Sequence, residues 1–336
     1  MQSGEASGMV LRFLFGAISI VMMLATDATA QSISLTLAHQ YPSTQVIGDA
    51  YNYWAERVSE LSEGEITVQV FPGSTLIGSD ESFAAVVNNS VSASNMIGGF
   101  QVGDIPQLAA VAMPFLFDDY AHYRRVVDGG LYDLVAGWYE EKNIKLLNFF
   151  PKGHDQVFHK SKFLLEPADY QGAQLRGVGG ASDAVLQALG ANVVRLPTTE
   201  VTSALQRGVV DGMVTSCSAH IGRSWYEQTP YASIVSLKND LEGLGLNLDV
   251  WNSLSPKQQE IVRQAAAEME DMQWELIEHQ EEVECNKDWE RLGVKVQKVT
   301  PEQREALQEA VASVYDTYGA DIPALDEVLK LVEANR

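Results

Sequence analysis

Basic residues are scarce in this chain. There are 23 Lys and Arg against 45 Asp and Glu, a formal net charge of −22. A surface of that sign repels nucleic-acid phosphates and anionic lipid headgroups alike. Cysteine is scarcer still, with two in 336 residues, too few for a disulfide framework or a cysteine-based zinc site. Cys217 and Cys285 are either one pair formed after export or two buried thiols. The six histidines show no metal-ligand spacing, and His220 and His279 read as surface or partly packed residues. There is no H-E-x-x-H, no G-x-S-x-G and no P-loop. The cluster Gly177-Val178-Gly179-Gly180 has Ser182 where a dinucleotide fingerprint needs its last glycine, and no acidic residue follows at the right distance, so it reads as a turn. A scattered Ser/His/Asp set occurs in any chain this long and is no argument for a triad. The expectation is therefore no catalytic residue, no metal and no cofactor.

Long apolar runs are confined to the start. Arg12 precedes the 13-residue apolar stretch Phe13–Ala25, and Ala28-Thr29-Ala30 has the small-x-small form of a cleavage site. The stretch is shorter than the roughly 20 residues a spanning helix needs. It reads as an export signal covering residues 1–30, cut near Ala30, with Met9 an alternative start. The expected location is the periplasm. The remainder has ordinary globular composition, 46% hydrophobic overall, and a length suited to about two domains of roughly 100–200 residues.

Ser32–Ala38 alternates polar and apolar residues as a half-buried strand does. Ala50, Tyr51, Trp54, Val58 and Leu61 then recur at helical spacing, Ile66–Phe71 is a second strand, Ser82–Val87 a short helix and Ala93–Ile97 a third strand. A β-α-β-α-β order is the pattern of a mostly parallel sheet covered by helices, and in such sheets ligands gather at the carboxyl ends of the strands. The same order restarts near Ala173, with strands at Gln174–Val178, Ala191–Leu196 and Val209–Thr215 separated by helices at Ser182–Leu189 and Thr199–Arg207. Two such sets imply an α/β protein of two similar lobes. From Lys257 to Leu292 there is neither Gly nor Pro, and Ser255-Pro256 supplies a helix start. A continuous helix of that length is roughly 54 Å long and should brace both lobes.

Between Leu175 and Gly212 the sequence becomes specific. Leu175-Arg176, Ala188-Leu189-Gly190-Ala191, Leu196-Pro197, Glu200-Val201 and the run Ala204-Leu205-Gln206-Arg207-Gly208-Val209-Val210-Asp211-Gly212 resemble the solute-binding proteins of tripartite ATP-independent periplasmic (TRAP) transporters, of the DctP type. Leu37-Ala38-His39, Val70-Phe71-Pro72, Met113-Pro114-Phe115-Leu116-Phe117, Pro167-Ala168-Asp169 with Gly172, and Trp251-Asn252-Ser253-Leu254-Ser255-Pro256 extend the resemblance over essentially the whole chain after the signal. It implies a two-lobed periplasmic-binding-protein-like fold with crossing hinge strands and a long lobe-spanning helix. The expected organisation is lobe I at 31–153, lobe II at 154–240, a return to lobe I at 241–256, the long helix at 257–292 and C-terminal helices at 293–336. It also implies a monomeric receptor that closes on a small organic anion or zwitterion and hands it to small and large membrane subunits for ion-driven uptake. A sensor of the same fold and an exported α/β hydrolase are the alternatives.

The resemblance also implies a site. Alone, Arg176 would be a surface arginine in a strand; its flanking motif matches the family's carboxylate-gripping arginine, whose paired N–H donors suit a planar acid. Two positions depart from the family. Gly153-His154-Asp155 puts Asp155 where a second arginine is common, and Asp211-Gly212-Met213-Val214-Thr215 puts Thr215 where asparagine is usual. Asp155 either takes a positive group on the ligand, which would make that ligand a zwitterion, or pairs with a neighbouring Lys or Arg or faces solvent. Asn95 at the end of the third strand is a candidate for contact with polar groups of the ligand, and the aromatics Tyr41, Phe150 (with Phe149) and Trp225 (with Tyr226) are candidates for the cleft wall, although each aromatic taken alone is more readily a core residue.

Overall fold

The computed structural model describes residues 32–42, 45 and 47–336. The expected export signal and its cleavage point at Ala30 lie outside the described residues. Strands β1 (Ile33–Ala38), β2 (Ile66–Phe71) and β3 (Ala93–Ile97) alternate with helices Ile47–Leu61 and Ser82–Val87. The first helix buries Tyr51, Trp54 and Val58, spaced three and four apart on one face. After them come β4 (Ile144–Leu146), β5 (Phe150–His154), β6 (Gln156–His159), β7 (Gln174–Gly177), β8 (Asn192–Arg195), β9 (Gly212–Thr215), β10 (Tyr231–Ile234), β11 (Asn239–Asn247) and β12 (Lys295–Lys298).

The strands form two sheets. One has the order β2-β1-β3-β11-β4, with β5 also on β11, and the other β12-β10-β6-β9-β7-β8. The β-α-β stretches give parallel pairs, β1 with β2 and β3, and β7 with β8 and β9. The strands that carry the chain between sheets, β5, β6, β10 and β11, pair antiparallel with their neighbours β11, β9, β6 and β3. The segment after 293, expected to be helical, opens with β12 on the edge of the second sheet. Two buried clusters accompany the sheets: a large one that includes Trp54, Tyr123, Phe149 and Phe150, and a smaller one around Phe158, Trp225 and Trp289. His220 is fully buried in the smaller cluster rather than near the surface. Its ring stacks on Phe158 at 3.8 Å, its Nδ1 accepts from Trp289 at 3.2 Å, and burial pulls its pKa down to about 3, so it is neutral.

The chain passes from the first sheet to the second between β5 and β6, which are separated only by Asp155. It returns between β10 and β11, through 235–238. The two passages are tied together: the Asp155 amide donates to the Lys238 carbonyl at 2.8 Å, and the Leu237 amide to the Asp155 carbonyl at 3.0 Å.

The long helix starts at Ser255, whose side chain and that of Gln258 form a reciprocal cap, with Pro256 in the first turn. It runs as Pro256–His279, loosens to a π-helical turn at Gln280–Glu284, and resumes as Cys285–Arg291. Its first part lies on the first lobe, with Trp54 Nε1 donating to the Val262 carbonyl at 3.4 Å and Gln273 Nε2 to that of Ile47 at 3.1 Å. Its last part lies on the second lobe, where Cys285 is bonded to Cys217. The π turn falls where the helix passes the crossing strands. There the Glu281 carboxylate accepts from Tyr120 Oη at 2.6 Å and lies 2.9 Å from His154 Nδ1. Gly153 beside it has φ +103, and a Cβ there would stand 2.7 Å from Glu281 Oε1, so the close approach requires glycine.

Two stability predictions follow from the brace. Removing the disulfide in a Cys217→Ser/Cys285→Ser variant should lower unfolding stability by about 2–4 kcal/mol, read by urea titration with and without reductant. Glu270, on the inner side of the helix, accepts from the Phe149 amide at 3.3 Å, and burial raises its pKa from 4.5 to about 7. The folded chain therefore holds this proton more tightly than the unfolded chain. Its contribution is present below pH 4.5 and disappears as pH rises through 7. Between pH 5 and 8 the wild type should lose about 2 kcal/mol more than Glu270→Gln, measured by denaturant unfolding at both pH values.

Candidate ligand-binding cleft

A cavity lies between the two sheets, at the carboxyl ends of β1, β3, β7 and β9. Its walls include Gln40, Tyr41 and Gln45 after β1, Gly99 and Phe100 after β3, Lys152 on β5, Arg176 on β7, and Thr215, Arg223 and Trp225 at and beyond the end of β9. This is where an α/β sheet presents backbone and side chains to ligands. The free space is about 30 Å³, room for about two waters, so a ligand enters by parting the walls. Among the described residues, Gln45 Nε2 donates to Ser218 Oγ at 3.1 Å and Arg223 Nη2 to the Gln40 carbonyl at 2.9 Å across the gap. The lobes are therefore drawn together.

Arg176 is 3% exposed, with its Nε donating to the Leu196 carbonyl at 3.1 Å. That bond fixes the guanidinium plane at the head of β7. Gly177-Val178-Gly179-Gly180 turns the chain directly after it, as expected. Gly179, at φ +97, would clash with the Arg195 guanidinium if it carried a Cβ, and its amide donates to Asp183 Oδ1 at 2.9 Å. Thr215 lines the cavity as the last residue of β9. Trp225 lines it with its Nε1 donating to Thr202 Oγ1 at 2.9 Å. Tyr41 lines it too, and its hydroxyl donates to Glu242, a buried carboxylate on β11 that also accepts from Tyr51 at 2.5 Å. Burial first, and then the Glu242 charge, hold both phenols well above their ordinary pKa, so they stay protonated donors.

Three expected site residues lie elsewhere. Asn95 is buried in β3, where its Oδ1 accepts from the Gln40 amide at 3.3 Å; it supports the loop beneath the cavity. Phe150 is fully buried in the core, 6.5 Å from the Tyr51 ring. Asp155 is 1% exposed at the crossing, with Lys238 Nζ at 3.0 Å and Lys152 Nζ at 3.7 Å. Burial opposes its charge, but Lys238 and Lys152 outweigh that and hold its pKa below the usual carboxylate range. Its carboxylate faces protein cations, the pairing that was the alternative to a contact with a positive group on the ligand. Sequence reasoning missed Lys152 and Arg223. Arg223 lies two residues before Trp225, its guanidinium 5.6 Å from that ring, and a cation beside a chosen aromatic was the available signal.

A larger hollow of about 700 Å³ opens by the π turn, with Asp118, Asp119, Glu278 and Glu281 among its lining residues. Its four carboxylates outnumber Lys298 and Arg304, which disfavours an anion there. Among the described residues no group of three or more His, Cys, Asp or Glu side chains could hold a metal ion, and no helix is long and apolar enough to cross a membrane.

The family model described as DctP, bacterial extracellular solute-binding protein family 7, matches residues 37–321. The chain is 24% identical to the 2,3-diketo-L-gulonate-binding periplasmic protein YiaO of Escherichia coli K12, over 92% of this chain and 95% of that one. It is 23% identical to the C4-dicarboxylate-binding periplasmic protein DctP of Rhodobacter capsulatus, over 97% of both. Among solved structures, the sugar acid binding protein DctPAm of Advenella mimigardefordensis, in complex with galactonate, superimposes with a TM-score of 0.87 at 23% identity, covering 91% of this chain and 99% of that one.

If Asp155 is a hinge residue and not a ligand contact, Asp155→Asn should destabilise the fold by about 3–5 kcal/mol, the usual effect of removing one member of a buried ion pair. Urea unfolding of the ligand-free protein measures it.

Proposed function

Because the chain belongs to family 7 of the bacterial extracellular solute-binding proteins, we propose that it is the periplasmic receptor of a TRAP transporter, a monomer that captures a small organic acid and performs no catalysis. The observation that carries this reading is Arg176. Its guanidinium stands nearly sealed from solvent in a cavity walled by both lobes, at the carboxyl ends of their parallel strands. There a carboxylate takes two parallel N–H donors with little competing water.

Binding and closure are one process in this reading. Walls from β1 and β3 belong to the first sheet and those from β7 and β9 to the second, so an acid touching both favours the arrangement in which they meet. The lobes turn about the paired crossings at Asp155 and 237–238, and the membrane subunits recognise the closed form and take up the ligand. Relatives named for a diketo-sugar acid and for C4-dicarboxylates support the acid class.

Arg176→Ala should leave the unfolding temperature of the ligand-free protein within a few degrees and lower affinity for the best acid ligand by about 30-fold or more, as expected when one partner of a desolvated charge pair is truncated. A thermal-shift screen of unmodified organic acids finds the ligand, and titration calorimetry on both proteins measures the loss. Undiminished affinity in the variant would overturn the reading.

A further inference from the structure

The ionisable groups around the cleft are unlike those of the rest of the protein. The chain carries about twice as many acidic as basic residues, yet among the described residues lining the cavity are Lys152, Arg176 and Arg223 and no carboxylate. A protein of net charge −22 repels anions at long range, so a cavity that collects cations is built for something negative.

Arg176 and Arg223 are fixed separately. Arg176 is held within the second lobe by the Leu196 carbonyl. Arg223 follows the helix Cys217–Gly222 and reaches across to the Gln40 carbonyl of the β1 loop, with its Cζ 5.6 Å from the Trp225 ring centroid. No carboxylate among the described residues pairs with Arg223. Burial lowers its pKa, the sign of a cation that has lost water without gaining a counter-charge. A guanidinium has five N–H donors. One edge is used on Gln40, and the others make no hydrogen bond among the described residues. Lys152, by contrast, leans toward Asp155.

We propose that Arg223 is the specificity-determining residue of this cleft: it holds a second anionic group while Arg176 holds the first, so that the site selects acids with two separate negative groups over acids with one. This rests on the reading of Arg176 as the first acid contact. It also assigns the position of the missing charge. On the crossing strand Asp155 stands in place of an arginine and Lys152 leans toward it, so the second cation comes from the end of the helix after β9. Because the Arg223 guanidinium already bridges to Gln40, an anion seated on it strengthens the contact that draws the lobes together.

Matched acids test this. Gluconate and glucarate share a carbon skeleton and differ in one carboxylate, as do succinamate and succinate; 6-phosphogluconate exchanges the second carboxylate for phosphate. Calorimetry on wild type, Arg223→Gln, Arg223→Lys and Arg176→Ala, each checked for an unchanged ligand-free melting curve, should give this pattern. Wild type prefers the two-headed member of at least one pair by 30-fold or more. Arg223→Gln weakens the two-headed acid by about 30-fold more than the one-headed acid and so removes that preference, and Arg223→Lys restores part of it. Whether 6-phosphogluconate or the dicarboxylates bind tighter identifies the second group. Equal affinity for both members of each pair, with Arg223→Gln unchanged and Arg176→Ala weakened, would overturn the role of Arg223 alone. Binding of neither kind of acid would overturn the acid site itself.

Discussion

The two passages between the sheets meet at Asp155. Its amide and carbonyl close hydrogen bonds to 237–238 of the returning strand, and its carboxylate faces Lys238 within the same few ångströms. A buried charge of this kind is tolerated only because it is paired. The pairing keeps the two passages side by side, and that in turn sets both sheets with the carboxyl ends of their parallel strands toward one gap. The long helix respects the same junction. Its regular turns pack on each lobe, and its π turn lies against His154 at the crossing. π turns in helices are frequent at functional positions; this one falls beside the crossing between the sheets.

From that junction the chemistry of the cleft follows. Strand ends from two lobes supply polar backbone and side chains, and the cations among them stand in an otherwise acidic protein. Tyr41 is held by the Glu242 carboxylate and Trp225 by Thr202, so both aromatic walls are anchored by hydrogen bonds. Recognition then depends on few movable parts. Ile97, Lys152, Arg176 and Thr215 are set by strands, and the groups that reach across the gap, Arg223 and Gln45, make or break the contact between lobes.

Much of the fold was legible because its parallel halves obey simple periodicities. β2, Ser82–Val87 and β3 have the boundaries that apolar spacing gives, and the helix start at Ser255-Pro256 is written in its cap. The crossing strands were less legible. β5, β6 and β10 are short, interrupted by Gly153 or followed closely by a charged residue, and the crossing strands have partners far along the chain. Arg176 reached the cleft because a motif surrounds it. Asp155 was placed at a crossing by resemblance, but its partner Lys238 carries no local signal, so an acid in an expected cation position suggested a ligand contact. Phe150 illustrates the general limit: aromatic residues near a site are more often its foundation than its wall. The two cysteines left pairing open until helix Cys217–Gly222 and the end of the long helix were seen side by side.

The most direct measurement is a crystal structure of the protein with an acid ligand identified by thermal shift. A carboxylate oxygen within hydrogen-bond distance of the Arg176 guanidinium, with the ligand enclosed between the β1 loop and the helix after β9, is the expected result. Density for the acid in the large hollow beside the π turn, or an Arg176 side chain turned to bulk solvent with the acid bound elsewhere, would contradict it.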